Sequence, residues 1–225
     1  MNRLNADIAV IGSGFAGSLA AAILQKSGLT SVLIDRARHP RFSIGESSTP
    51  TASLILESLA QTYSLDWLAP LAKYGRWKRA YPQLTCGRKR GFSYFEHRPD
   101  SSFELTPGHD RELLVAASAS DEASDTQWLR SEVDAFFFEQ ALSGGVTSFE
   151  GSELLSLQHL DPGWRVEFFE DGSRQTIDCR FLIDASGAGN VTGRRLGIDD
   201  LGSTLLSRSR AIFGHFAGLP RWSEI

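Results

Sequence analysis

The chain has 225 residues, 41% of them hydrophobic and 22% charged. That suits one or two folded domains with a sizeable core and excludes a disordered tail or a fibre. The net charge of −4 argues against a polyanion-binding protein. The two cysteines, Cys86 and Cys179, exclude a CxxC redox pair, a cysteine-rich metal site and a disulfide scaffold, so a reducing, cytoplasmic compartment is expected. No apolar run reaches the roughly 20 residues of a membrane span, and the N-terminus does not read as a signal peptide.

Taken in chain order, Ala6 to Ile11 is apolar and β-branched, the pattern of a strand buried on both faces of a parallel sheet. Gly12, Gly14 and Gly17 follow in GxGxxG spacing. Ser18 to Lys26 is rich in helix formers, with Gly28 suited to end the helix, and Ser31 to Ile34 forms a second strand closing on Asp35. This is one βαβ unit. Gly12 permits the tight turn, Gly14 lets a pyrophosphate approach the backbone, and Gly17 lets the helix pack on the sheet. The N-terminus of the helix behind the glycines adds partial positive charge that favours an anion, and Phe15 and Ala16 lie within the glycine turn. Asp35, 23 residues after Gly12, is placed to accept both ribose hydroxyls of an adenosine and to repel a 2′-phosphate, with Arg36 beside it. A lone GxGxxG is a weak signal; here the strand, helix and acid concur, so a bound dinucleotide is expected.

Arg36 to Pro50 reads as a long loop and Thr51 to Tyr63 as a helix. Residues 67–95 carry seven basic side chains and no acid, interleaved with aromatics, which leaves −11 on the remainder. That distribution suits an anionic or carrier-attached small substrate better than nucleic acid. Asp121 to Asp125 reads as a small acidic loop. Ser131 to Leu142 reads as a helix capped by Ser131. Turn signals at Asp161-Pro162-Gly163 and Asp171-Gly172 flank a β-meander over about 149–183, and Arg180 to Asp184 reads as another buried strand. Ser209 to Ala217 reads as a last strand. The histidines lack metal-ligand spacing, and no GxSxG elbow is present, so no metal site and no hydrolase triad are expected.

A nicotinamide dehydrogenase would continue in regular βα alternation. This chain instead leaves for over 100 residues and returns with Leu182-Ile183-Asp184-Ala185-Ser186-Gly187. With that return, the chain resembles the FAD-dependent monooxygenase and halogenase superfamily. Asp7 to Gly17 is similar to its N-terminal fingerprint. Pro40-Arg41-Phe42-Ser43-Ile44-Gly45-Glu46-Ser47 is similar to the P-R-x-x-x-G-E-S/A/T loop of the halogenases. Asp184 to Gly187 is similar to the D-A-S/T-G strand end beside the flavin, and Arg130 to Asp134 to a family R-x-x-x-D segment.

The resemblance implies an α/β fold: a Rossmann-like FAD-binding domain with a parallel sheet and meander (1–66 and 109–200), plus the start of a mixed substrate-domain sheet (67–108 and 201–225). It implies FAD held by Gly12, Gly14, Phe15, Ala16, Gly17, Asp35, Arg36, Gly45, Glu46, Ser47, Asp184 and Gly187. It implies chemistry with reduced FAD, supplied by a separate flavin reductase, and dioxygen, on an aromatic or carrier-bound small substrate. It also implies a reacting lysine after the G-E-S loop. Lys73, 27 residues after Glu46, is the first candidate and Lys78 its rival. Family members are about twice as long, and their W-x-W-x-I-P motif is missing here. An N-terminal portion, or a short member with an incomplete site, is therefore expected. The alternatives are a flavin monooxygenase or geranylgeranyl-reductase-like enzyme, or a non-catalytic FAD-binding fragment.

Overall fold

A computed structural model describes residues 2–116, 118–207 and 211–220. The chain opens with strand β1 (Asn2–Ile11), helix α1 (Phe15–Lys26) and strand β2 (Ser31–Asp35). After the long loop come α2 (Pro50–Thr62), a 3₁₀ turn and α3 (Tyr74–Ala80), then four short strands: β3 (Cys86–Lys89), β4 (Gly91–Phe95), β5 (Glu112–Ala116) and β6 (Asp125–Trp128). Helix α4 (Arg130–Ser143) leads to β7 (Thr147–Glu150), β8 (Glu153–Leu160), β9 (Gly163–Glu170), β10 (Ser173–Asp184) and the short α5 (Val191–Arg195).

The main sheet has six strands in the order β7-β2-β1-β10-β9-β8. β7, β2, β1 and β10 run parallel, while β10, β9 and β8 form the antiparallel meander. Alternation along β1 explains the layering. Ile8 and Val10 face α1 and α4, in a core with Ala21, Ala22, Leu33, Phe138 and Ala141. Ala9 and Ile11 face the other way, with Val32, Ile34, Val166, Phe168 and Ile177. A third core joins α1 to α2, α3 and α4 around Leu19, Leu56, Leu68, Leu71, Trp77 and Phe137. The turns after β1, β2 and β10 thus meet at one end of the sheet, where open α/β sheets bind ligands.

Several local expectations are corrected. Helix α1 begins at Phe15, directly on the glycine turn, rather than at Ser18. Helix α4 begins at Arg130 behind Leu129 and has no side-chain cap, so Ser131 lies inside it. Thr49 caps α2, its side chain accepting from the Ala52 N–H. Arg180 to Asp184 is the end of the twelve-residue β10, and it is not fully buried: Phe181 is exposed, while Leu182 and Ile183 pack partly against the cores on the two faces. Residues 211–217 form no strand; Ser209 and Arg210, the other part of that expected strand, lie outside the described residues. Asp125 belongs to no solvated acidic loop. It is 1% exposed and paired in register with Lys89.

Candidate functional site

The glycine turn is held by close backbone packing. Gly12 has φ +106°, and a Cβ there would lie 2.5 Å from the Ala185 carbonyl oxygen. A Cβ on Gly17 would lie 1.9 Å from the Gly12 carbonyl oxygen. Gly14 is different: a Cβ there would meet only side-chain tips, Arg41 at 3.4 Å and Asp134 at 3.5 Å. It is the N-cap of α1 and no side chain caps the helix. The first N–H groups of a twelve-residue helix are thus left for an anion.

Asp35 ends β2 and folds back on this turn. Its Oδ2 accepts from the Ser13 N–H at 2.7 Å, the Ser13 hydroxyl at 2.9 Å and Arg41 at 3.1 Å; its Oδ1 accepts from the Ala37 N–H at 2.9 Å. Burial pushes its carboxyl up, but those donors outweigh it and hold the pKa below the ordinary aspartate value. Oδ2 is saturated, so only Oδ1 keeps room for a ribose hydroxyl. His39, its ring tilted against Phe138 with centroids 4.9 Å apart, places Nε2 at 2.9 Å from the Ser13 carbonyl and 3.0 Å from its hydroxyl. Neither Ser13 nor His39 is singled out by the sequence motifs.

The Pro40–Ser47 loop is ordered from the α4 side. Arg130 forms a buried bidentate pair with Asp134, at 2.7 and 2.9 Å, and donates to the carbonyls of Ile44 and Gly45. Its guanidinium also lies 4.7 Å over the Phe15 ring. Gly45 has φ +96°, a conformation that leaves its carbonyl free to meet Arg130. Glu46 and Ser48 pair with β6 through Trp128 N–H to Glu46 O, 2.7 Å, and Ser48 N–H to Thr126 O, 3.0 Å. The Glu46 carboxylate meets His215 at 2.8 Å, and Phe42 stacks on Phe213. Asp184 receives the Ser186 and Thr192 N–H groups, both at 2.8 Å, and turns the chain into Gly187, φ +62°.

These segments enclose a cavity of about 690 Å³ lined by Gly12, Asp35, Arg36, Arg41, Phe42, Ser152, Ser186 and Arg195, among others. Gly14, Phe15, Ala16, Gly17, Gly45, Glu46, Ser47, Asp184 and Gly187 do not line it. They set the turns and loop around it. The residues fit a dinucleotide with its diphosphate at the glycine turn: an uncapped helix start, an open Gly14, and the buried Nε of Arg41 without a partner.

The basic stretch is neutralised within the fold. Arg76 pairs with Glu57, Arg79 with Glu122, Arg88 and Arg90 with Asp121, and Lys73 with Asp125. Five of its seven cations are thus ion-paired, and the expected attraction for an anionic substrate loses its main basis. Lys78 donates to the Pro82 carbonyl on the surface. Lys89, which sequence reasoning passed over, is 4% exposed, donates to the Ser48 carbonyl and lies 3.6 Å from the Phe92 ring centroid. Burial pushes its ammonium pKa below the ordinary lysine value, and Asp125 offsets part of that shift. No helix among the described residues is long and apolar enough to cross a membrane.

The FAD dependent oxidoreductase family matches residues 7–212. The chain is 29% identical to the tetracycline 7-halogenase of Kitasatospora aureofaciens over 213 residues, 95% of this chain and 37% of that protein. It is 27% identical over 200 residues to the 1H-pyrrole-2-carbonyl-[peptidyl-carrier protein] chlorinase of Pseudomonas fluorescens, 85% of this chain and 41% of that one. Among solved structures it is similar to halogenase PltM in complex with phloroglucinol and FAD, with a TM-score of 0.76 and 29% identity, covering 85% of this chain and 36% of that one. The chain therefore spans well under half the length of these relatives.

Proposed function

Because the chain belongs to the family of FAD-dependent oxidoreductases, we propose that it forms the cofactor-holding portion of a flavin-dependent halogenase acting on an aromatic or carrier-bound small substrate. One observation supports this reading: Gly12 of the glycine turn, Asp35, Arg41 and Phe42 of the loop, and Ala185 and Ser186 of the turn after β10, distant in sequence, line one cavity at the end of the sheet, while Arg130 holds the loop from behind. Similarity to enzymes on tetracycline and on carrier-bound pyrrole supports the substrate class.

Bound FAD supplies the redox chemistry with dioxygen. This chain's residues bind and orient it. The N–H groups of Phe15, Ala16 and Gly17 meet the diphosphate, while Gly12 and Gly14 keep side chains away. Arg36 and Arg41 balance its charge, and Asp35 accepts a ribose hydroxyl through Oδ1. Arg41 and Phe42 of the loop and Ala185 and Ser186 of the turn after β10 would wall the cofactor site, with Gly45, Glu46 and Ser47, and Asp184 and Gly187, setting the shape of the loop and the turn behind them. The resemblance implies a separate flavin reductase, and the two unpaired cysteines suit the cytoplasm. The division into an FAD-binding part (1–66, 109–200) and the start of a substrate part (67–108, 201–225) is supported by the separate β4–β5 hairpin. Residues 68–84, however, share their core with α1 and α4.

The resemblance assigned the reacting amine to Lys73. Lys73 is tied to a carboxylate at 3.4 Å, whereas Lys89 is desolvated and hangs on the carbonyl just after Gly45-Glu46-Ser47. We therefore assign that amine to Lys89, since an ammonium that can give up its proton is what the chemistry requires.

The test supplies reduced FAD, dioxygen, halide and phenolic or pyrrolic substrates, and reads product mass. A halogen isotope pattern is expected; an oxygen increment indicates hydroxylation instead, and bound flavin without turnover indicates a non-catalytic FAD-binding fragment. Lys89→Met should bind FAD and lose halogenation, with Lys73→Met impaired less. The reverse order would return the role to Lys73.

A further inference from the structure

A buried carboxylate, Asp125, stands beside both Lys73 and Lys89. Asp125 is 1% exposed in β6. Its Oδ1 accepts from Ser53 Oγ at 3.2 Å and from Lys73 Nζ at 3.4 Å, while its Oδ2 is buried with no hydrogen-bond partner. Lys89 faces it in register across the β3–β6 pair. Among the described residues, the Lys89 ammonium has the Ser48 carbonyl and the face of Phe92 as its close partners, weaker stabilisers of a cation than a hydrogen-bonded carboxylate. Two cations and one anion thus share a region that excludes water, and the anion cannot serve both equally.

We propose that Asp125 is a positioning residue that sorts the two lysines, holding Lys73 as its ion-pair partner and leaving Lys89 on the Ser48 carbonyl without a carboxylate of its own. The charged groups around Lys89 are few. Arg88 and Arg90 flank it in sequence but both bind Asp121. Lys73 reaches in from the start of α3 and Asp125 from β6. Among the described residues, α2 contributes the Ser53 hydroxyl, the loop the Ser48 carbonyl and β4 the Phe92 ring. Burial pushes the Lys89 amine down and Asp125 pulls it part of the way back. Removing the carboxylate should therefore lower it further, and removing the competing Lys73 should raise it.

This inference rests on the reading that a lysine of this cluster reacts, but its test does not. The chain contains four lysines, so lysine labelled with ¹³C at the ε carbon gives four resonances, assigned by substitution. In the 225-residue chain, Asp125→Asn should lower the Lys89 titration midpoint by about one pH unit, and Lys73→Met should raise it by a similar amount. Asp125→Glu should restore the midpoint. A Lys89 midpoint unmoved in both variants overturns the sorting role. If Asp125→Asn does not fold, Lys73→Met decides alone: a raised midpoint supports the proposal and an unmoved one overturns it. Halogenation by Lys89→Met is measured separately. Retained turnover with a shifted midpoint removes only the chemical role of Lys89, and lost turnover with an unmoved midpoint removes only the sorting.

Discussion

Asp35 does two things through two oxygens. Oδ2 ties the glycine turn to the end of β2, and Oδ1 is left for the cofactor. Asp35→Ala removes both, and the loss of a charge-assisted hydrogen bond is worth about 1.5–3 kcal/mol. FAD affinity should fall by tenfold or more. Asp35→Asn discriminates between the two roles, because its amide cannot accept from Ser13 and repels Arg41, yet its oxygen can still serve at Oδ1. Fluorescence titration with FAD that finds wild-type affinity for Asp35→Ala would remove the residue from the cofactor site.

At the level of elements, the Pro40–Ser47 loop owes its shape to α4 and β6. Arg130 is its main tie, and its partner Asp134 is fully buried. Arg130→Met strands that carboxylate, which costs about 3–5 kcal/mol, and releases two loop carbonyls. Urea unfolding should show a midpoint shifted strongly down. The double variant Arg130→Met/Asp134→Leu should recover a large part of the loss, since no unpaired charge remains. A single variant within about 0.5 kcal/mol of wild type would mean that the pair does not hold the loop.

Across the whole molecule, acid stability is carried by carboxylates that the fold keeps ionised. Asp178 shows this most clearly: side-chain hydrogen bonding from Arg165, reinforced by Arg3, overcomes a smaller burial cost and lowers its pKa to about 2, linking β1, β9 and β10. The folded value lies below the unfolded one, so the contribution is full above about pH 4 and is lost as pH falls through about 2. Thermal midpoints measured from pH 5 downward should fall over that window. They should fall less steeply in Asp178→Asn, and equal slopes would contradict the assignment. The same scale explains the neutralised basic stretch: its acids, Glu57, Asp121, Glu122 and Asp125, come from segments that the local charge count did not include.

Local chemistry was enough to read the βαβ unit, the glycine turn, Asp35 and the meander. Each depends on neighbours within a few residues: β-branched alternation, helix formers behind a glycine, Asp-Gly turns between strands. What depended on distant partners was not legible. Ser209 to Ala217 has strand chemistry, but a strand needs a partner, and residues 211–217 find none. Asp125 sits in an acidic run that looks solvated until β3 pairs with β6 and buries it against Lys89. Lys73 is preferred to Lys78 by its distance from the G-E-S loop along the chain, and Lys89 is not weighed there. Its burial under Ser48 comes from β3, while Lys73 pairs with a carboxylate, and neither is visible in spacing. Tertiary packing decided burial and pairing, since both require segments far apart in sequence to meet, and no local pattern encodes which segment arrives.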